Sequence, residues 1–128
     1  MIDFGQLVQM AQMVKEKAYA PYSGFRVGAA LLGKSGMIYT GCNIENAAYP
    51  VTNCAERTAL FKAVSEGEQE FLALAVVSDS ADYVSPCGVC RQALAEFCGT
   101  DFQILMCRSN GDYKIMTLGE LLPESFGF

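Results

Sequence analysis

Phe71-Leu72-Ala73-Leu74-Ala75-Val76-Val77 is a short, nearly continuous apolar run. A strand with one wet face alternates apolar and polar side chains, whereas an unbroken run suits a strand covered on both faces. Residues 71–77 therefore predict a buried strand inside a sheet with helices on either side. The flanking segments agree. Upstream, a helix runs from about Cys54 to Ser65 and stops at Gly67. Downstream, the loop 78–86 leads into a helix from about Cys87 to Phe97, ended by Gly99.

Further out, Phe4, Leu7, Val8, Ala11, Val14 and Ala18 recur at helical spacing, which predicts an amphipathic helix over 3–18. Ala20-Pro21-Tyr22-Ser23-Gly24 breaks it. Residues 26–33 and 37–42 read as two strands, with a hairpin turn at Gly33-Lys34-Ser35-Gly36. Residues 43–53 read as a polar loop containing Pro50. Residues 102–107 and 113–116 read as strands joined by Arg108-Ser109-Asn110-Gly111-Asp112. Asn-Gly favours a tight turn, and a parallel connection needs about a dozen residues or more, so this pair is expected to be antiparallel. Thr117 begins a last short helix that Pro123 ends. The order α-β-β-α-β-α-β-β-α predicts an α/β fold: a three-layer α/β/α sandwich around a mixed five-stranded sheet. With 128 residues and no repeat or linker, the whole span 1–128 reads as one domain.

The bulk composition narrows the function classes. Apolar residues make up 52% of the chain, yet no run approaches the ~18 residues of a membrane span. The excess hints at a buried subunit interface. The first twenty residues show no basic start followed by an apolar block, so no signal peptide is expected. The net charge is −5, with nine Lys and Arg scattered along the chain. Polynucleotide binding draws on clustered cations, so a small substrate suits this chain better than DNA or RNA. Six cysteines without a secretion signal point to a reducing compartment, hence the cytoplasm. Of these, Cys42, Cys98 and Cys107 sit in apolar strings and read as small buried residues. The chain has no histidine. That excludes Ser-His-Asp and Cys-His nucleophilic catalysis and leaves thiolates or carboxylates to hold any metal.

Cys54-Ala55-Glu56 and Pro86-Cys87-Gly88-Val89-Cys90 supply such ligands. Structural zinc sites close with four protein ligands, whereas catalytic ones keep the fourth position open. Three cysteines and one nearby glutamate suit the open kind. Both groups fall at predicted helix N-termini, where partial positive charge lowers thiol pKa values. Zn²⁺ with three thiolates carries a formal charge of −1. Arg57 is placed either to offset it or to stand as an exposed helix arginine. Two residues after a ligand, Glu56 would face the open position as a proton carrier; alone, it would read as an N-terminal helix acid favoured by the macrodipole. Cys-x-x-Cys by itself fits a redox dithiol as well as a metal site. The third cysteine in Cys-x-Glu, and the proline before the pair, favour metal.

Cys54-x-Glu56 with Pro86-Cys87-x-x-Cys90 resembles the zinc nucleoside and nucleobase deaminases in their three-cysteine form. The likeness extends through Tyr22–Ala30, Gly41–Ala47, Pro86–Gln92 and Leu121–Phe126, which stand in cytidine deaminase order and are similar to the small homotetrameric members. The resemblance implies one zinc per subunit on Cys54, Cys87 and Cys90. It implies that Glu56 carries protons from water to N3 and to the leaving amine of cytidine or deoxycytidine, in pyrimidine salvage. The Ala55 N–H and the Ser85 carbonyl would hold the polar edge of the base, and Phe25 would pack on its face. Asn43 and Glu45 would grip the ribose; outside the family context they read as loop-turn polar residues, and Phe25 as a core aromatic. Tyr49 and Phe126 would reach a neighbouring subunit's site. Two readings remain beside this one: a deaminase of another substrate (tRNA adenosine, guanine or blasticidin S), and a zinc or dithiol module without catalysis.

Overall fold

The computed structural model describes all 128 residues. Five strands form one sheet: β1 (Val27–Gly33), β2 (Ile38–Cys42), β3 (Phe71–Ser78), β4 (Gln103–Cys107) and β5 (Tyr113–Thr117), in the order β2-β1-β3-β4-β5. β3 is central, antiparallel to β1 and parallel to β4. The short link after Cys107 makes β5 antiparallel to β4, with Gln103 opposite Thr117 and Cys107 opposite Tyr113. Its turn is closed by Arg108 N–H donating to the Asp112 carbonyl at 2.7 Å, with Gly111 at φ 96°.

Alternation along β3 separates two cores. Leu74 and Val76 point to one side, with Ala29, Leu31, Ile104 and Met106. There they meet Ala55, Ala59, Leu60 and Ala63 of α2 (Ala55–Ser65), Leu94 of α3 (Gly88–Ala95) and Leu118 of α4 (Leu118–Leu121). Ala73, Ala75 and Val77 point the other way, onto Leu7, Val8 and Ala11 of α1 (Phe4–Lys15). The mixed sheet thus lies between helical layers, and the apolar run of β3 is explained by cover on both faces. Each fully buried Leu or Val stabilises the fold by roughly 1.5–3 kcal/mol. No helix is long and apolar enough to cross a membrane.

Two glycines let helices rest on the sheet by their backbones. A Cβ on Gly28 would lie 2.1 Å from the Ala11 carbonyl of α1, and one on Gly41 would lie 2.4 Å from the Ala59 nitrogen of α2. At Gly41, α2 is therefore seated directly on the backbone of β2.

Some boundaries differ from the sequence reading. α1 stops at Lys15 rather than at residue 18, because the chain tightens into turns (Lys17 N–H to Val14 and Ala18 N–H to Lys15). Tyr19 then pairs with the segment after β2: its N–H donates to the Asn43 carbonyl at 3.0 Å, and its carbonyl accepts from Glu45 N–H at 2.8 Å. Residues 43–53 are more ordered than a plain loop. Ile44 bridges Asn53 in antiparallel fashion, and Tyr49–Val51 form a 3₁₀ turn. α3 spans Gly88–Ala95 inside the expected 87–97. Thr117 caps α4 through a reciprocal capping box with Glu120.

Candidate active site

Cys54 is the N-cap of α2, Cys87 is the N-cap of α3, and Cys90 lies in α3's first turn. Neither N-cap thiol makes a capping hydrogen bond to the backbone of its helix. The three Sγ atoms lie within 4.8 Å of one another, with Cys54–Cys87 at 3.7 Å and Cys87–Cys90 at 3.3 Å. Sulfurs at tetrahedral corners around zinc, each at about 2.3 Å from the ion, stand about 3.8 Å apart. The donor set, three thiols at two positive helix ends with no fourth protein ligand grouped with them, fits one zinc ion with one open position. None of the six cysteines is in a disulfide.

The electrostatics sets Cys54 apart from the packing thiols. Contact with the Cys90 thiol, helped by the Arg57 guanidinium, holds Cys54 well below the usual thiol range. The Cys90 thiol is pushed upward by the same contact with Cys54 and by burial. Away from the cluster, burial lifts Cys98 to about 12 and Cys107 to about 11, so these two remain neutral core groups. Arg57 is not a free surface arginine. Its Nη2 donates to Cys54 Sγ at 3.4 Å, and contact with Cys54 raises its own pKa further.

Glu56, in the first turn of α2, is 5% exposed. Burial raises its carboxyl to about 7, and the charge on Cys54 acts in the same direction. A carboxyl titrating near neutrality is suited to taking up and returning a proton. It lines a cavity of about 220 Å³ together with Cys54, Ala55, Ser85, Cys87, Phe25 and Asn43. Phe25 is 41% exposed, so it belongs to this wall rather than to the core. Cys90 sits fully buried beside the other two sulfurs.

The remaining candidates lie elsewhere within the chain. Glu45 and Tyr49 line a second cavity of about 340 Å³ with Tyr22, Ser23, Asn46 and Thr52. Thr52 also lines the first cavity, so the two adjoin. Phe126 reaches neither. Its carbonyl accepts from Gln92 Nε2 at 3.1 Å, and its ring packs edge-on against Phe128. Val27, Thr52, Asn53, Val76 and Val84 also line the first cavity; the sequence reading did not select them. Asn53 carries the one available signal, adjacency to Cys54. The three valines are indistinguishable in sequence from core residues.

Asn43 and Glu45 both hold the segment 22–27. Asn43 Oδ1 accepts from Val27 N–H at 2.9 Å, and its Nδ2 donates to the Phe25 carbonyl at 2.8 Å. Glu45 accepts from the Tyr22 and Ser23 N–H groups at 2.9 and 3.1 Å, and from the Ser23 hydroxyl. These bonds pull its carboxyl below the usual range, the Ser23 hydroxyl contributing most.

Comparison with known proteins agrees with the geometry. The family model of the cytidine and deoxycytidylate deaminase zinc-binding region matches residues 2–106. A cytidine deaminase of Sporosarcina psychrophila is 53% identical over 125 residues, spanning 98% of this chain and 92% of that protein. One from Halalkalibacterium halodurans is 51% identical over 125 residues, spanning 98% and 95%. The crystal structure of cytidine deaminase from Burkholderia pseudomallei superposes with a TM-score of 0.93 at 43% identity, over 98% of this chain and all of that one. With three thiols that fit zinc and a buried carboxyl beside them, the chain belongs to the cytidine and deoxycytidylate deaminase zinc-binding family.

Proposed function

We propose that this chain is a zinc-dependent hydrolase that converts cytidine and deoxycytidine, with water, to uridine and deoxyuridine plus ammonia. The observation that carries the reading is the buried Glu56 carboxyl on the wall of one cavity with Cys54 and Cys87, whose thiols cluster with that of Cys90. Zinc on Cys54, Cys87 and Cys90 would supply Lewis-acid activation of water at its open position. Glu56 takes a proton from water and delivers it to N3 of the base as the water oxygen bonds to C4. It then takes the proton of the new C4 hydroxyl and hands it to the amine as the C4–N4 bond breaks, which leaves the C4 carbonyl and ammonia. Arg57, donating to Cys54, offsets thiolate charge.

Phe25 supplies a face for the pyrimidine to pack on. The Ala55 N–H belongs to the first turn of α2, where N–H groups lack intrahelical acceptors, and is free for the base. The Ser85 carbonyl accepts from the amine edge. After its two backbone bonds, Asn43 keeps one N–H and one lone pair for a sugar hydroxyl. Glu45 keeps part of its acceptor capacity.

Tyr49 and Phe126 are 74% and 69% exposed and lie outside the thiol-lined cavity of their own chain. This supports a homotetramer in which neighbouring copies complete each site. The two cores share one sheet, which supports a single domain over 1–128. Six unpaired thiols suit a reducing cytoplasm, where the reaction would serve pyrimidine salvage.

The deciding experiment is an ultraviolet assay of cytidine, deoxycytidine, cytosine, adenosine and blasticidin S on one preparation, with its zinc content measured. Turnover of the two nucleosides is expected. Turnover of blasticidin S alone, or of none with zinc bound, would refute the reading.

A further inference from the structure

Arg91 follows Cys90 in α3, and its guanidinium joins three segments. Nε donates to the Pro86 carbonyl at 2.8 Å, Nη2 to the Ser85 hydroxyl at 2.6 Å, and Nη1 to the Leu121 carbonyl at 2.7 Å. Its backbone N–H donates to the Cys87 carbonyl at 3.0 Å. One residue thus grips the two residues ahead of Cys87, Cys87 itself and the end of α4. Pro86 has no N–H of its own to anchor the chain. The nearest backbone tie upstream is Val84 N–H to the Cys107 carbonyl, at a longer 3.2 Å. Pro86 is held by burial, and between that tie and the first turn of α3 the guanidinium supplies the hydrogen bonds to Ser85 and Pro86.

We propose that Arg91 is the positioning residue of the Ser85–Cys87 turn. It sets the direction of the Ser85 carbonyl and the place of the Cys87 thiol beside Cys54, and it joins both to the C-terminal segment through Leu121. The part concerning Ser85 rests on the reading of that carbonyl as a contact to the base. A guanidinium suits this task because its donors are fixed in one plane and are aimed at several acceptors at once. A lysine offers a point charge on a flexible stem and cannot hold three acceptors in fixed directions.

The test uses the full-length zinc protein with Arg91→Ala and Arg91→Lys. For each, kcat and KM for cytidine are measured, together with the rate of zinc transfer to a chromophoric chelator. In both variants KM should rise about tenfold or more, the range open to a lost charge-assisted hydrogen bond, with kcat changing far less. Zinc should transfer faster. Millimolar methylguanidinium should lower KM of Arg91→Ala, while ammonium at the same concentration should not. A residue that merely stabilised the α3–α4 packing would change thermal stability without this KM shift or this rescue. Wild-type KM and wild-type zinc transfer in Arg91→Lys would overturn the proposal, and that variant decides alone if Arg91→Ala does not fold. If the wild-type protein leaves cytidine untouched, the functional reading fails, and zinc transfer from Arg91→Lys still decides whether Arg91 places Cys87.

Discussion

Gly41→Ala tests how closely catalysis depends on the seating of α2. Gly41 lies on β2 opposite Ala29, with the first turns of α2 directly over it. An added Cβ would lie 2.4 Å from the Ala59 nitrogen, 2.6 Å from the Ala55 carbonyl and 2.9 Å from Thr58 Cβ. Ordinary contact begins at 3.4 Å, and two of the three atoms are backbone, so no rotamer change relieves the overlap. α2 must lift from the sheet by about 1 Å. That displacement carries Cys54, the Ala55 N–H and Glu56 away from Cys87 and Ser85, which belong to a different segment. A misplacement of about 1 Å costs about a hundredfold in rate, or about 2.7 kcal/mol of transition-state stabilisation. Overpacking also destabilises the fold by roughly 1–3 kcal/mol. The assay is kcat/KM for cytidine on folded, zinc-loaded protein, with thermal melting alongside. Gly5→Ala is the control, since its Cβ would meet only Asp3 Oδ1 at an ordinary 3.5 Å, and it should retain wild-type activity. If Gly41→Ala melts lower but keeps kcat/KM near wild type, the helix has yielded elsewhere and the positional argument is refuted.

Glu56→Gln should retain zinc and lose about 10²–10⁴-fold in kcat, the range for general acid–base groups; near wild-type turnover of cytidine would remove its assigned role. Cys87→Ser should copurify with little zinc and unfold more readily, because metal binding and folding are coupled; stoichiometric metal by elemental analysis would contradict this. Truncation after Pro123 removes Phe126 and should reduce both activity and assembly, and full activity from a stable monomer in sedimentation would sink the shared-site reading. Asp79 tests the pH dependence of the fold. Its carboxylate binds Arg26 and Lys15 at 3.0 and 3.2 Å, and these partners, Arg26 foremost, depress its pKa from 3.8 to about 2. A depressed carboxyl contributes stability above its unfolded pKa and loses it as pH falls through the folded one. Asp79→Asn should therefore be less stable than wild type at pH 7, and the difference should shrink between pH 4 and pH 2, as measured by urea unfolding. Loss of zinc in acid is common to both proteins and leaves the difference intact. A gap that stays constant down to pH 2 would refute the linkage.

Most of the fold is legible in the sequence because its signals are local. The run 71–77 requires cover on both faces, and Asn110-Gly111 forces the β4–β5 return. Thr117 and Glu120 specify the capping box that begins α4. What escaped depends on distant partners. α1 ends early in tight turns that lead Tyr19 to pair with residues 43–45, a contact that no helical periodicity encodes. The metal cluster was legible for a related reason. Cys-x-Glu and Cys-x-x-Cys are short spacings that helix starts turn into geometry, so only the meeting of the two ends had to be supplied by the fold. The valines of the cavity wall carry no such mark. Val76 belongs to the same apolar run that identifies β3, and only the placement of α2 and the Ser85 turn decides that part of it faces a cavity.

Asn43 shows why chemistry-bearing residues and geometry-bearing residues are hard to separate. Its amide oxygen and nitrogen already bracket Phe25 and Val27, with Val27 N–H at 2.9 Å and the Phe25 carbonyl at 2.8 Å. Ala in its place would leave that N–H and that carbonyl without partners, at a cost of about 1–3 kcal/mol for each group that stays buried. It would also free Phe25 from its place in the cavity wall. A substrate-binding role adds at most the remaining N–H and lone pair. Loss of affinity in Asn43→Ala would therefore mix two causes. Asp can accept from Val27 N–H but cannot donate to the Phe25 carbonyl, so it breaks half of the bracket while keeping an acceptor for a sugar hydroxyl. The informative comparison is cytosine against cytidine. Misplacement of Phe25 weakens both substrates equally, whereas a lost sugar contact weakens only the nucleoside.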